Sequence, residues 1–328
     1  MILTIGNVMV SVYDREYDLL VIGESMVELA CEGDIVSSSS FKMDVGGGDV
    51  VVAATAARLG SKVRLISAIA HDQFHGFIRE RLTAQKIDIS LVTTCQQSYN
   101  GIYFTSERYP EYREYLVHHP GTASRHIIPT LVTPEYVENT KIVYASSELQ
   151  SVSPHTRRTI FNAFLFAHTN KIMVAYDPNL RLQRWTLDDA REGLWSVLSL
   201  VDVFFVSCPE ESKALFGYER DIDVIGFLFN RGVGTVVVKM GADGCTVGHA
   251  GRIEKFPQPS DSDISPFRTP ALAGSAFNGA FLSSIATNGY DPFAAAELAN
   301  SVALYKGIKG WGMDSLPTVD DFRKEQPA

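Results

Sequence analysis

Cysteine is scarce in this chain and scattered. The four residues, Cys31, Cys95, Cys208 and Cys245, form no C-x-x-C pair. That excludes a recognisable zinc or disulfide framework and makes a reducing cytosol the expected compartment. Positive charge is also short: 29 Lys and Arg stand against 38 Asp and Glu, for a net charge of -9. No basic run interrupts that balance, so neither nucleic acid nor an anionic membrane is an expected partner. Long apolar runs are missing too; none reaches the ~18 residues that a membrane-spanning helix needs. The apolar start, 1–10, carries no basic leader and no small-residue cleavage site, so it does not read as a signal peptide. His71, His75, His118 and His119 are not spaced to share one helix face, and no metal site is expected from them.

What remains is the composition of a globular protein. Of 328 residues, 45% are hydrophobic and 20% charged, enough for one large core with an accessory element. From Lys141 onward, apolar strands and amphipathic helices take turns at 142–145, 153–167, 172–176, 187–198, 203–206, 222–230 and 236–239. That alternation predicts βαβ units and a parallel sheet. Segments 41–45, 101–104 and 112–117 instead read as strands of a small separate sheet. Between them Gly46-Gly47-Gly48-Asp49 leads into an Ala-rich helix over 50–59. The segment ILTIGNVMV at 2–10 nearly repeats LLVIGESMV at 19–27; the first copy reads either as an extra edge strand or as a disordered extension.

The stretch 269–281, TPALAGSAFNGAF, organises the rest. It reads as a loop opening into a helix, with Ser275 where an N-cap is wanted. Free backbone N–H groups and the positive end of the helix dipole would suit a phosphate there. Other motifs sit at ordered intervals: Gly23-Glu24 followed by Glu28, Asp177-Pro178-Asn179-Leu180-Arg181, Cys208-Pro209-Glu210-Glu211, Lys239-Met240-Gly241-Ala242-Asp243-Gly244, and Leu298-Ala299-Asn300.

Together, over about residues 18 to 322, these motifs resemble those of the pfkB (ribokinase-like) carbohydrate kinases. In pattern they are most similar to the 2-keto-3-deoxygluconate kinase branch. The resemblance implies a ribokinase-like α/β fold: a mainly parallel central sheet, helices on both faces, and a small β lid with strands near 36–46 and 100–118. Residues 18–328 would form that domain and 1–17 an extension. It implies ATP and Mg²⁺ as cofactors, a sugar or sugar acid as the small-molecule substrate, and a homodimer through the lid. By position, Glu28, Gly47, Gly48, Tyr103, His119, Asp177 and Asn179 would meet the substrate. Glu211, Lys239, Gly241, Gly244 and Asn300 would meet the nucleotide. Ala273, Gly274, Ser275 and Arg181 would surround the transferring phosphoryl group.

The chain departs from the family pattern at the chemistry. Aligned on Ala276-Phe277, the family's D-T-x-G-A-G-D-x-F has its first glycine at Leu272 and its catalytic Asp at Ser275. The sugar-gripping Asn falls on Val51 and the Asn of N-x-x-E on Cys208. In the lid, a substrate Tyr becomes Val117, and the carboxylate-binding Arg becomes His119, whose neutral imidazole cannot act as a bidentate guanidinium. Bland readings stand beside these: Ser275 as N-cap, Leu272 as a plug, Val51 and Cys208 as core, Glu211 as helix surface, and Asp177, Asn179 and Arg181 as a structural loop. A Ser hydroxyl without a partner is a poor general base. The expectation is therefore a sugar-kinase homologue with weak or no phosphotransfer, kept as a ligand-sensing or protein-interaction module. The alternative is an active ATP-dependent kinase whose base comes from elsewhere, such as Asp261 or Asp263.

Overall fold

A computed structural model describes residues 2–5, 8–11, 15–106, 115–118, 121–259 and 272–323. The strands in chain order are β1 (Ile2–Ile5), β2 (Val8–Ser11), β3 (Tyr17–Ile22), β4 (Met26–Cys31), β5 (Lys42–Gly46), β6 (Val63–Ala70), β7 (Val92–Cys95) and β8 (Gly101–Ser106). They continue as β9 (Tyr115–His118), β10 (Thr140–Ser146), β11 (Met173–Asp177), β12 (Val203–Ser207), β13 (Thr235–Lys239), β14 (Cys245–His249) and β15 (Arg252–Phe256). The α-helices are α1 (Gly48–Arg58), α2 (His75–Ala84), α3 (Pro134–Glu138), α4 (Ser147–Gln150), α5 (Pro154–Thr169) and α6 (Leu187–Val197). After them come α7 (Glu210–Phe216), α8 (Asp221–Phe229), α9 (Ala273–Thr287), α10 (Pro292–Lys309) and α11 (Val319–Arg323).

The main sheet has nine strands in the order β15-β14-β13-β12-β11-β10-β3-β6-β7. Pairing is parallel from β13 through to β7 and antiparallel only at β13–β14 and β14–β15. Strand alternation divides the interior in two. Leu19, Val21, Ile142, Tyr144, Phe205 and Val237 face one layer, built with α1, α9 and α10. Leu20, Ile22, Val143, Tyr176, Phe204 and Val236 face the other, with α5, α6 and α8. Burying one such side chain is worth roughly 1.5–3 kcal/mol, so both faces of each central strand contribute. Local signals set the helix starts. Ser153 and Thr156 form a capping box at α5, and the Asp291 carboxylate accepts the Phe293 and Ala294 amides at α10.

A second, separate sheet has the order β5-β4-β8-β9. Its cross-strand register puts Asp44, Glu28, Tyr103 and Val117 in one row and Met43, Leu29 and Phe104 in the neighbouring row. Rows one residue apart face opposite sides of the sheet. Within the repeat, β1 and β2 pair with each other, while β15 and β7 form the edges of the main sheet. Among the described residues, no helix is long and apolar enough to cross a membrane.

Candidate active site

The parallel strands deliver their functional side chains at their carboxyl ends, where open α/β sheets hold ligands. β3 runs out into Glu24, β10 into Ser147 and Glu148, β11 ends on Asp177, and β13 ends on Lys239. Lys239 Nζ lies 2.6 Å from Asp177 Oδ2. Asn278 Nδ2 donates to the same oxygen at 2.5 Å, and its Oδ1 accepts from Lys239 at 3.4 Å. Asn278 is fully buried on α9, one turn beyond Ser275.

Helix α9 starts earlier than the sequence suggests. Leu272 is its N-cap, at φ 60 and ψ 5, and Ser275 is its third residue. The first helical bond runs from the Ala276 amide to the Leu272 carbonyl at 2.9 Å. The N-cap expectation for Ser275 therefore fails: the backbone turns at Leu272 by entering the left-handed region, which costs an L residue about 1–2 kcal/mol. The amides of Ala273, Gly274 and Ser275 belong to the first turn, which has no intrahelical acceptor for them. A Cβ on Gly274 would stand 3.7 Å from Lys239 Nζ, so the ammonium and the helix N-terminus share one anion-binding corner.

The loop after β11 is fixed from both sides. The Asn179 amide donates to Asp177 Oδ1 at 2.9 Å, with Asn179 at φ 36. Glu211 accepts the Leu180 amide at 2.6 Å and the Ser207 amide at 2.9 Å. This corrects the helix-surface reading of Glu211, whose carboxylate ties β12 to the Asp177 loop. Burial and then Asp177 raise its pKa, against the opposing pull of Lys239 and the two amides. Two carboxylates thus face one ammonium, an acid excess that a divalent cation fits.

On the other side of the cleft, Arg181 Nε donates to Glu148 Oε1 at 2.9 Å, and Glu148 Oε2 accepts the Gly48 amide at 3.0 Å. The glycine turn is required here. Gly47 sits at φ 113, and a Cβ on Gly48 would come within 2.7 Å of both Asn179 and Glu148. Beneath it, Arg184 and Glu24 form an ion pair whose side chains are 3% and 2% exposed. Asp49 is buried against Gly23, and neither of its carboxyl oxygens has a hydrogen-bond partner of good geometry. Burial and then Glu148 push its pKa well above the carboxylate range, only partly offset by the Ser146 hydroxyl. Glu28 accepts from the Thr105 hydroxyl at 2.9 Å, and Tyr103 packs its ring beneath Gly46. Val51 is core, at 1% exposure.

A cleft of about 570 Å³ opens from Lys239 and Gly274 past Gly241 and Gly244 to Phe277, Asn300, Ala303 and Leu304. Gly241 and Gly244 hold positive φ, and the Met240 amide closes their turn on the Gly244 carbonyl at 2.8 Å. Asn300 Nδ2 donates to the Phe256 carbonyl at 2.9 Å, fixing β15 to α10 along the cleft wall. The structure brings Lys239, Gly241, Gly244, Ala273, Gly274 and Asn300 to one cleft, links Asp177 to Lys239 and to the Asn179 amide and Glu211 to the Leu180 amide, sets Arg181 and Gly48 against Glu148, and leaves Glu28 and Tyr103 on the second sheet. His119, Asp261 and Asp263 lie outside the described residues. His71 and His75, not expected to share a face, bring their rings to 5.2 Å. Among the described residues no group of three or more His, Cys, Asp or Glu side chains is placed to hold a metal ion. Reading the sequence alone missed Glu148, Arg184 and Asn278, and gave Glu24 and Asp49, though both stand in its motifs, no role of their own. The available signal was an ionisable or amide side chain directly after a strand end, or inside a run of small apolar residues.

Comparison with known proteins bears on the family and the fold. The family model for pfkB family carbohydrate kinases matches residues 3–306. An ATP-dependent 6-phosphofructokinase of Thermoanaerobacterium thermosaccharolyticum is 25% identical over 317 residues, covering 94% of each chain. A 5-dehydro-2-deoxygluconokinase of Clostridium perfringens is 24% identical, over 94% of this chain and 93% of its own. Among solved structures, a putative ribokinase II from E. coli in complex with ATP and Mg²⁺ superposes with a TM-score of 0.83 at 20% identity, over 94% of this chain and 98% of its own. A PfkB protein from Polaromonas sp. JS666 gives 0.82 at 21% identity, over 94% of this chain and 100% of its own.

Proposed function

The chain belongs to the pfkB family of carbohydrate kinases, and on that premise we propose that it is a nucleotide- and sugar-binding homologue in which phosphotransfer is weak or absent. One observation carries this reading: the third residue of α9, beside the Lys239, Asp177 and Asn278 cluster, is Ser275 rather than a carboxylate. Deprotonating a sugar hydroxyl in step with transfer is worth typically 10²–10⁴-fold. Among the described residues, no carboxylate or imidazole is hydrogen-bonded to Ser275 to supply it.

The remaining parts support binding. Phe277, Ala303 and Leu304 line an apolar end of the cleft suited to a base, and Gly241 and Gly244 let the backbone come close. Lys239 and the amides of Ala273 to Ser275 suit the terminal phosphates. Mg²⁺ would be held at Glu211 beside Asp177 and would neutralise phosphate charge when bound. Gly47, Gly48, Asn179, Glu28 and Tyr103 surround the place for a sugar, and Arg181, expected at the transferring phosphoryl group, goes with them because it pairs with the Glu148 that also holds the Gly48 amide. The Met43, Leu29 and Phe104 row, with Met43 43% exposed, supports pairing of two lids in a homodimer. A cytoplasmic setting accords with four unpaired cysteines.

A second reading rests on Asp177, the carboxylate that reaches the same corner through Asn278. It makes the chain an active kinase with Asp177 as base, although Lys239 and Asn278 both engage that carboxylate. The deciding experiment is ATP turnover with Mg²⁺ across hexoses, pentoses and keto-deoxy sugar acids, with a Lys239→Ala control. Sugar-stimulated turnover absent from the control supports the second reading. ATP binding without turnover supports the first. Lid pairing is tested by light scattering on a Leu29→Glu, Met43→Glu double variant, which should be monomeric.

A further inference from the structure

The substrate end of the cleft has an unusual charge arrangement. Arg181 is engaged by Glu148, Arg184 by Glu24 and Lys239 by Asp177. Each cation described at these strand ends therefore already faces a carboxylate, and Asp49 is a further acid without a cation of its own. Arg181 is the cation nearest the open space, with its side chain 36% exposed, while Glu148 is 5% exposed and also held by the Gly48 amide. A ligand carboxylate or phosphate docking on Arg181 would meet Glu148 at contact range. Like charges at that distance in a partly desolvated pocket oppose binding. Hydroxyl groups meet no such penalty, since carboxylates accept from them and the guanidinium donates to them.

Resting on the sugar-site reading above, we propose that this site takes a neutral polyhydroxyl sugar and rejects sugar acids and sugar phosphates, with Glu148 setting the preference by neutralising Arg181. The 6-phosphofructokinase and 5-dehydro-2-deoxygluconokinase relatives carry names that point to charged substrates. The inference therefore separates this chain from them on its own residues.

The test is calorimetric titration of the full chain with neutral aldoses and ketoses and with the matching aldonates and sugar phosphates. Wild type should bind at least one neutral sugar, and the matching acid more than about tenfold more weakly. Glu148→Gln keeps the volume and an acceptor for Gly48 but frees Arg181, and should shrink that ratio by about tenfold. Arg181→Gln, as the second variant, should leave the ratio within about twofold. An acid that outcompetes its neutral sugar, a ratio unmoved by Glu148→Gln, or acid binding lost only in Arg181→Gln overturns the inference while the sugar-site reading stands. Binding of no member of any series overturns the sugar-site reading, and this inference with it.

Discussion

The ammonium of Lys239 and the carboxylate of Asp177 meet at 2.6 Å with their side chains 13% and 3% exposed. One comes from the end of β13 and the other from the end of β11, so the pair joins the N-terminal corner of α9 to the loop after β11. Removing one partner leaves a buried charge. Lys239→Ala should cost about 3–5 kcal/mol and abolish ATP binding, and adding Asp177→Asn should restore a good part of the stability but none of the binding. Urea denaturation alongside nucleotide titration checks both halves.

Leu272 and Ser275 separate strain from chemistry. Leu272→Gly relieves a left-handed leucine but removes apolar contact with the core, so stability should change by no more than about 1 kcal/mol. Together with Ser275→Asp it should raise ATP turnover by roughly 10²–10⁴-fold. A folded double variant as inert as the wild type would refute the missing base as the reason for weak transfer.

Acid should weaken the fold through Asp88. Burial alone would raise its pKa, but the hydrogen bonds from Tyr17, the Ser90 amide and Arg64 prevail and hold it at about 2, from 3.8. The folded value lies below the unfolded one, so the contribution is complete above about pH 4 and fades as pH falls toward 2. Asp88→Asn should cost roughly 2 kcal/mol at neutral pH, with the difference from wild type closing across that window. Denaturation midpoints at several pH values measure it.

The lid is fastened at Asp44. Arg81 Nε and its NH2 group donate to the two Asp44 oxygens at 2.8 and 2.9 Å, and the Met313 amide adds a third bond at 2.8 Å. Arg81→Ala should destabilise by about 2–3 kcal/mol, less than a fully buried pair because the Met313 and Val45 amides still hold Asp44. Hydrogen exchange should rise in β5 and in the segment after α10, and stay unchanged in β10 and β11.

Alternation made the strands from 140 onward readable, because buried parallel strands have few ways to look like anything else. The Asp177-to-Arg181 loop was readable for its motif. The buried polar pairs were not, since the Arg184–Glu24 ion pair spans 160 residues and the Asn278–Asp177 hydrogen bond spans 101. No local pattern says which acid will face which cation. Ser275 misled for another reason. Serine is a preferred cap, but the chain turns at Leu272, where propensity alone argues against a left-handed residue.

Strand β3 lies between β6 and β10, with Leu19 paired to both Val63 and Ile142. Its neighbour on one side is made soon after it during synthesis, and its neighbour on the other side much later. At about 5–20 residues per second, the ribosome needs on the order of ten seconds to reach the second partner. During that interval a buried central strand of the sheet has one unpaired edge, which stays open until Thr140–Ser146 emerges.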